Sequence, residues 1–336
     1  MQYGCHQQNC RDCNKQFYPK KYLSIRNKYG YNLASWVVYQ NVVSGVSFKQ
    51  ISEITDICFN IKIKKSAAHD LKKVTAEYYK GWYNKSIRKM QEWRFIHCDE
   101  TSIRIKSGKG HVWVFTNLFN VIYVFKKDRK TDFIKNYIKG FDGIFISDFY
   151  TGFNSFKCLQ QKCLIHLIRD INTALYKYQQ DVELQLIANE FSYILRNIIS
   201  TIDKYGSKKR HLNKYKNDVE KFYVKIINKE YKSESAKKVV KRFKRFKNSL
   251  FTFLDFDGIS WNNNCAENSL KFIASYRKRI NGIYTEQGIE DYMILFSLYK
   301  TCKNRNINML NFLLSKEKDV DNYEINYNSK GKKIKK

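Results

Sequence analysis

The sequence predicts an α/β fold in which helices cover the faces of one mixed sheet. Short apolar segments typical of strands begin with FIHC, directly after Arg94, and end with GIFIS, directly before Asp148. Helical patterns such as TDFIKNYIKG and LIRDINTALYKY alternate with the later strands. The order is three strands, helix, strand, helix, strand, helix, which is typical of one sheet with helices on its faces.

The individual strands are read from apolar runs and turn signals. After FIHC, the segments SIRIK and HVWVFTNL form a predicted hairpin, joined by the glycine-containing turn SGKG. NVIYVFKK is the next predicted strand, and CLIH is a further short strand before the helix LIRDINTALYKY. The pattern of apolar residues changes from helical to strand-like near Arg94. This change predicts a domain boundary between residues 21–92 and 93–314.

Residues 21–92 show three helical patterns. Leu33, Val37 and Val42 lie on one face of the first, and Ser47 is a candidate N-cap for the second. A third helix is predicted to begin near Lys65. Three short helices of this kind predict a helix-turn-helix type DNA-binding unit, although any small three-helix module has the same pattern.

A long helical region follows the predicted sheet. Residues 170–250 contain no proline. Within them, KKVVKRFKRFKN predicts an amphipathic helix whose basic residues flank an apolar face. Acidic partners at the i+4 positions are missing, which favours a surface that faces phosphates over a merely solvated one. The basic residues assigned to this DNA-binding face are Lys241, Arg242, Lys244 and Arg245.

The charge of the chain predicts a polyanionic partner. Sixty-two Lys and Arg residues against 31 Asp and Glu give a formal net charge of +31. Such an excess is typical of proteins that bind nucleic acid or an anionic membrane surface. An AT-rich genome would explain Lys over Arg, but not a two-to-one excess of base over acid. No apolar run is long enough to span a membrane, and we expect an intracellular, cytoplasmic protein with reduced thiols.

Three carboxylates stand at positions that suit metal-dependent chemistry. Asp99 follows FIHC, and Asp148 follows GIFIS, each where a buried strand emerges. Glu267 lies one turn into a helix that begins at WNNNCAENSLKF, where Asn264 or Asn263 is the expected cap. Acids from neighbouring strand ends can share two divalent cations, the arrangement that cuts or joins phosphodiesters. Any one aspartate at a strand end is more often a simple turn residue.

Several stretches together resemble a known family. CDETSIRI with GHVWVF, ISDFYTGFNSF with CLIHLIRDI, and the block from NNNCAENSLKF to NMLNFL resemble the DDE transposases of bacterial and archaeal insertion sequences, most closely the IS66 type. The likeness covers about residues 94–314. It implies a ribonuclease-H-like catalytic domain over 93–314, with a basic helical insertion at about 175–255 in the long interval before Glu267.

The resemblance also implies the chemistry. Asp99, Asp148 and Glu267 would hold two Mg²⁺ (or Mn²⁺) ions for 3′-end cleavage by water and strand transfer by the freed 3′-hydroxyl. Glu100 ranks second to Asp99, because adjacent strand residues face opposite sides. The implied partners are double-stranded DNA at the element ends and the target, within a homo-oligomer in the nucleoid. A catalytically silent DNA-binding derivative and a nuclease of the same fold are the alternatives.

The two ends of the chain receive separate predictions. Residues 1–20 resemble part of a zinc ribbon, in which Cys5, Cys10 and Cys13 are candidate ligands of a structural Zn²⁺. Loss of the upstream half of the ribbon, without zinc, is the other interpretation. Residues 315–336 are expected to form a disordered basic tail.

The remaining candidates surround the carboxylates. Cys163 and His166 have metal-ligand spacing, but packing or orientation of a DNA end at a helix start is the favoured role. Basic residues near the helices of this region are predicted to contact the DNA backbone: Arg169, Arg277, Lys278 and Arg279.

Overall fold

The computed structural model describes residues 8–9, 13, 16–17, 29–280 and 284–325. The chain divides into two compact units, one formed by residues 1–82 with 306–336 and the other by residues 83–305. Within the described ranges, no helix combines the length and the apolar composition that a membrane span requires.

The predicted zinc-binding segment falls largely outside the described residues. Strand β1 (Gln8–Asn9) pairs antiparallel with β2 (Gln16–Phe17). Cys13 is exposed in a turn between them. Cys5 and Cys10 lie outside the described residues, so the zinc assignment stays a prediction.

Three helices follow in the first unit at the positions predicted. They are α1 (Tyr31–Val42), α2 (Phe48–Phe59) and α3 (Lys65–Lys89), whose last residues belong to the second unit. The predicted cap is confirmed, because the Ser47 hydroxyl accepts the Gln50 N–H at 3.3 Å and the Gln50 side chain accepts the Ser47 N–H at 3.0 Å. Val37, Ile51 and Leu71 bring the three helices into one buried cluster. The DNA-binding role of this unit stays a prediction.

A five-stranded mixed sheet forms the centre of the second unit. Its strands are β3 (Phe95–Ile105), β4 (Gly108–Thr116), β5 (Val121–Lys126), β6 (Ile144–Ser147) and β7 (Leu159–Lys162). Across the sheet they lie in the order β5-β4-β3-β6-β7. β4 is antiparallel to β3 and β5, whereas β6 is parallel to β3 and β7. This mixed sheet with flanking helices is consistent with the predicted ribonuclease-H-like fold.

The last predicted strand was wrong. CLIH does not form a strand: β7 is the preceding polar segment Leu159–Lys162, and Cys163 is the residue from which the next helix begins. Gln161 is fully buried there, and its amide group donates to the Leu250 carbonyl at 2.9 Å. This strand is polar and is stabilised by contacts with residues distant in the sequence. It therefore lacks the run of apolar residues by which a buried strand is predicted.

Helices surround this sheet. They are α4 (Asp132–Tyr137), α5 (Leu164–Lys177), α6 (Val182–Tyr205), α7 (Lys209–Leu212), α8 (Lys216–Ile227), α9 (Glu234–Arg245), α10 (Lys247–Leu250), α11 (Asn264–Ile280) and α12 (Glu286–Asn304). Short 3₁₀ segments occur at Met90–Glu92, Thr151–Ser155, Asn213–Tyr215 and Thr252–Asp255.

Helix α12 covers the edge strand β5. The Tyr123 N–H donates to the Ser297 hydroxyl at 2.9 Å, and the Val121 N–H donates to the Thr301 hydroxyl at 3.0 Å. Both hydroxyl residues are buried. Because an uncovered edge strand would leave unpaired N–H groups, these hydroxyls complete the sheet on this side.

Several helices lie in the interval of about residues 175–255, where the helical insertion is predicted, and that assignment stays a prediction. Phe191 of α6, Phe222 of α8 and Phe243 of α9 meet with ring centroids 5.1–6.1 Å apart. The same buried cluster includes Ile144 and Ile146 of β6. These helices therefore share a core with one face of the sheet.

The C-terminal part of the first unit corrects the predicted disordered tail. Helix α13 (Met309–Leu314) is followed by a second helical stretch at residues 320–325. Val320 is fully buried, and the Tyr323 ring contacts Phe312 with centroids 5.3 Å apart. These two apolar side chains order a segment whose average composition is polar. Residues 326–336 lie outside the described residues.

Candidate active site

Asp99 and Asp148 lie next to each other on one face of the sheet. His97 of β3 is paired with Ile146 of β6 in the parallel ladder. Asp99 lies two residues further along β3, and Asp148 directly follows the last residue of β6, so continuation of the register brings the two aspartates side by side. Because side chains alternate along a strand, Asp99 is expected on the same face as His97, and Asp148 on the same face as Ile146. His97 and Ile146 are paired, so this is one face of the sheet. Asp99 is not at a strand end as predicted, because β3 continues to Ile105 in its hairpin with β4.

Glu267 reaches this region from helix α11. It lies in the first turn, where its N–H donates to the Asn263 carbonyl at 3.1 Å. Asn263 is fully buried, and its side chain bonds to strand β3 rather than to the helix. Its amide nitrogen donates to the Cys98 carbonyl at 2.9 Å, and its oxygen lies 3.0 Å from His97 Nδ1. Asn263 thus fixes the start of α11 against the strand that carries Asp99.

The capping expectation is revised by these contacts. The Asn264 N–H donates to the side-chain oxygen of Asn262 at 3.1 Å. Asn262, rather than Asn263 or Asn264, therefore supplies the side-chain bond at the start of the helix. The Asn264 side chain is exposed.

The electrostatics of Asp99 reflect its burial and the charges of the two other carboxylates. Burial raises the pKa of Asp99 to about 7, against the effect of a 2.8 Å bond from the Glu100 N–H. The negative charges of Asp148 and Glu267 raise this pKa further. Asp148 in turn accepts the Tyr150 N–H at 3.0 Å. Like charges gathered in a partly buried place favour a bound cation.

Glu100 faces the opposite side of the sheet. Its carboxylate lies 2.5 Å from His111 Nδ1 and 2.6 Å from Arg129 Nε. The side chain is only 8% exposed, and the Arg129 guanidinium compensates its buried charge. Glu100 therefore has polar partners of its own, away from the face that carries Asp99.

The chemistry of the donor atoms fits divalent metal. Carboxylate oxygens are the ligands that Mg²⁺ and Mn²⁺ take in proteins. Glu267 Oε1 is buried and makes no hydrogen bond within the described part of the chain. Asp99, Asp148 and Glu267 thus carry the donor type that such an ion takes, and their role as its ligands stays a prediction.

Cys163 and His166 lie beside Glu267. Cys163 is buried at the N-cap position of α5, and its sulphur accepts the Asn263 N–H at 3.3 Å. His166 Nδ1 is 3.8 Å from Glu267 Oε1. The two residues with ligand spacing are therefore brought to the proposed catalytic glutamate.

Lys162 is a residue of this region that sequence reasoning missed. It is 1% exposed, and its ammonium group donates to the Ser147 hydroxyl at 3.1 Å. Burial lowers its pKa to about 8, whereas the charge of Asp148 opposes this shift. Its position in the polar segment LQQK gave no signal of burial. A buried cation beside Asp148 contributes to the electrostatics of the carboxylate group.

The predicted DNA-binding residues are distributed over three helices. Arg169 is exposed on α5, and the last turn of α11 contains Arg277, Lys278 and Arg279. On α9, Lys241, Lys244 and Arg245 are exposed. Arg242 differs from these, because its guanidinium pairs with Asp170 and lies 3.9 Å from the centroid of the Phe149 ring.

Comparison with known proteins gives a family match. The sequence matches the family described as Transposase IS66 family over residues 26–291, a range that includes all three carboxylates. No curated protein matches the sequence significantly. Because the family match extends over most of the sequence, the chain belongs to the IS66 family of transposases.

Proposed function

We propose that the chain binds the ends of its insertion sequence and catalyses metal-dependent DNA cleavage and strand transfer. The observation that carries the proposal is that Asp99 lies on β3, Asp148 directly follows the neighbouring strand β6, and Glu267 is in the first turn of α11, with the charges of Asp148 and Glu267 acting on Asp99. Burial raises the pKa of Asp99 to about 7, and the negative charges of Asp148 and Glu267 add to this rise. Such a cost in a folded protein is typical of a functional site.

The three carboxylates would act by binding and positioning divalent cations. When bound, two divalent cations activate an attacking oxygen and stabilise the leaving one. The contribution of the chain is to present ionised carboxylates on a rigid sheet and helix. The buried bonds of Asn263 to His97 and Cys98 support this rigidity.

DNA would be held by the basic surfaces around the carboxylates. Arg277, Lys278 and Arg279 follow Glu267 on the same helix, and Arg169 is on α5. Exposed lysines and arginines supply non-specific affinity for the phosphate backbone. Because transposition joins two ends to one target, we also propose that the protein acts as a homo-oligomer on double-stranded DNA.

The test is a cleavage assay on DNA that carries the ends of the element. The full-length protein is incubated with this DNA and Mg²⁺, and 3′-nicks at the ends are mapped. We expect specific nicking by the wild type and its loss in Asp148→Asn and Glu267→Gln, with DNA binding retained. Asp142→Asn is the matched control, because Asp142 is exposed and precedes the same strand that Asp148 follows.

Each alternative gives a different result. Binding of the ends without nicking by the wild type would indicate a catalytically silent DNA-binding protein. Cleavage that depends on DNA structure but ignores the terminal sequence would indicate a nuclease. Equal nicking by Glu267→Gln and the wild type would show that the carboxylate assignment is wrong.

A further inference from the structure

Three side chains of different chemistry converge where helices α5 and α11 begin. A sulphur of Cys163, a ring nitrogen of His166 and a carboxylate oxygen of Glu267 all lie within 4.8 Å of one another. Cys163 is the N-cap residue of α5 and His166 lies in its first turn, three residues further on. Glu267 comes from the facing helix, so two separate elements supply the cluster.

Two of these atoms are buried without a hydrogen bond. His166 Nδ1 and Glu267 Oε1 have no partner within the described residues, although they face each other at 3.8 Å. This distance is too long for a hydrogen bond. An unsatisfied buried nitrogen and oxygen each cost free energy, and such pairs in folded proteins are commonly bridged by a water molecule, a ligand or an ion.

The donor set selects the kind of ion. Zn²⁺ prefers cysteine sulphur, imidazole nitrogen and carboxylate oxygen, and three protein ligands leave a fourth position open. Tetrahedral coordination at normal zinc distances places neighbouring donor atoms about 3.3–3.6 Å apart. The His166–Glu267 distance needs to shorten only slightly to reach this range. Mg²⁺, by contrast, takes oxygen ligands and does not favour thiolate.

The environment of Cys163 suits a thiolate ligand. Burial raises the pKa of the thiol, but the backbone N–H groups of His166, Asn263 and Ile165 oppose this shift. The sulphur also lies at the N-terminus of a 14-residue helix, where the dipole favours negative charge. A bound cation would stabilise the thiolate further and displace the thiol proton.

We propose that Cys163, His166 and Glu267 form a binding site for a thiophilic divalent cation, represented by Zn²⁺, that shares Glu267 with the carboxylate group of the active site. Occupation of this site withdraws Glu267 from Asp99 and Asp148. Zn²⁺ therefore inhibits Mg²⁺-dependent cleavage, a consequence that rests on the proposed function. The metal site itself does not depend on that function.

The metal site is tested by titration with Co²⁺, which reports sulphur ligands through a charge-transfer band and tetrahedral geometry through its visible bands. The full-length wild type is compared with Cys163→Ser, His166→Gln and Cys265→Ser. Cys265 is the matched control, because it is a partly buried thiol on the same helix as Glu267 that bonds instead to Thr116. Comparison with this control also separates the site from the cysteines near the N-terminus.

We expect Cys163→Ser and His166→Gln each to lose one equivalent of tightly bound Co²⁺, while Cys265→Ser binds as the wild type does. Circular dichroism checks that each variant is folded. If Cys163→Ser does not fold, His166→Gln alone tests the site. Equal stoichiometry and spectra in the wild type and both site variants would overturn the proposal.

The inhibition is measured on the cleavage reaction, relative to the zinc-free activity of each variant. We expect the Zn²⁺ concentration that halves activity to rise at least tenfold in Cys163→Ser and to be unchanged in Cys265→Ser. Zinc binding without inhibition would contradict the shared role of Glu267. Failure of the wild type to cleave would count against the proposed function alone, since the cobalt titration still decides the metal site.

Discussion

Asn263 and His97 are hydrogen-bonded at 3.0 Å, although 166 residues separate them in the sequence. The Asn263 nitrogen donates to the Cys98 carbonyl, so its oxygen faces the ring and His97 Nδ1 is the donor. Burial lowers the pKa of His97 to about 4, which keeps the ring neutral. The bond joins the start of the glutamate helix to the strand that carries Asp99.

Replacement of Asn263 should therefore destabilise the second unit. Asn263→Ala leaves the His97 nitrogen and the Cys98 carbonyl buried without partners, at a cost of about 1–3 kcal/mol for each group. We expect the free energy of unfolding to fall by about 2–4 kcal/mol. Chemical denaturation followed by circular dichroism measures the change.

Asn264→Ala is the matched control for this variant, because the neighbouring side chain is exposed. Its effect on stability should lie within about 0.5 kcal/mol of the wild type. Equal destabilisation by the two substitutions would mean that Asn263 does not hold the helix start through its side chain.

The sequence predicted the features that depend on local pattern and missed those that depend on distant contacts. The capping box at Ser47 was readable because its two residues lie within one turn. The polar strand containing Gln161 was not, since its amide is satisfied by Leu250 and Phe253, about ninety residues away. Asn263 is a similar case: a run of three asparagines suggests capping, whereas its bonds to β3 require the folded sheet.

The Asp99 carboxyl gives a pH-dependent prediction for the metal-free protein. Its pKa is raised from 3.8 to about 7, so the folded state holds this proton more tightly than the unfolded state. Stability should fall as the pH rises from about 4 to about 7, and the full penalty, on the order of 4 kcal/mol, is present above that range. Asp99→Asn should therefore raise Tm in EDTA at about pH 8 and have little effect near pH 4.

Thermal unfolding of the wild type, Asp99→Asn and Asp142→Asn over this pH range tests the prediction. Asp142 is exposed, and its substitution should not change the pH dependence of Tm. Addition of Mg²⁺ should raise Tm of the wild type more than that of Asp99→Asn. A pH-independent difference between Asp99→Asn and the wild type would contradict the electrostatic origin of the penalty.

The buried Lys162 should show the opposite pH dependence. Its pKa is lowered from 10.5 to about 8, so the folded state binds this proton less tightly than the unfolded state. The resulting penalty is fully present below about pH 8 and is relieved as the pH rises towards 10.5. Lys162→Met should stabilise the protein at neutral pH by about 2–3 kcal/mol, with a gain that shrinks at higher pH.

Urea denaturation at several pH values measures this gain. Lys157→Met, at an exposed position shortly before the same strand, is the control and should leave stability nearly unchanged. If Lys162→Met were less stable than the wild type at neutral pH, the bond of the ammonium group to Ser147 would outweigh the cost of burying its charge.

The exposed basic residues of α9 should contribute to DNA affinity in a salt-dependent way. Lys241, Lys244 and Arg245 are exposed, whereas Arg242 is held by Asp170 and Phe149. Alanine at the three exposed positions should weaken binding and reduce the slope of log affinity against log salt by about 0.9 for each phosphate that the variant no longer neutralises. Lys237→Ala on the same helix is the control, because its ammonium pairs with Glu234 at 2.7 Å. Fluorescence anisotropy on double-stranded DNA at several salt concentrations gives both slopes, and an unchanged slope in the triple variant would remove this helix face from the DNA interface.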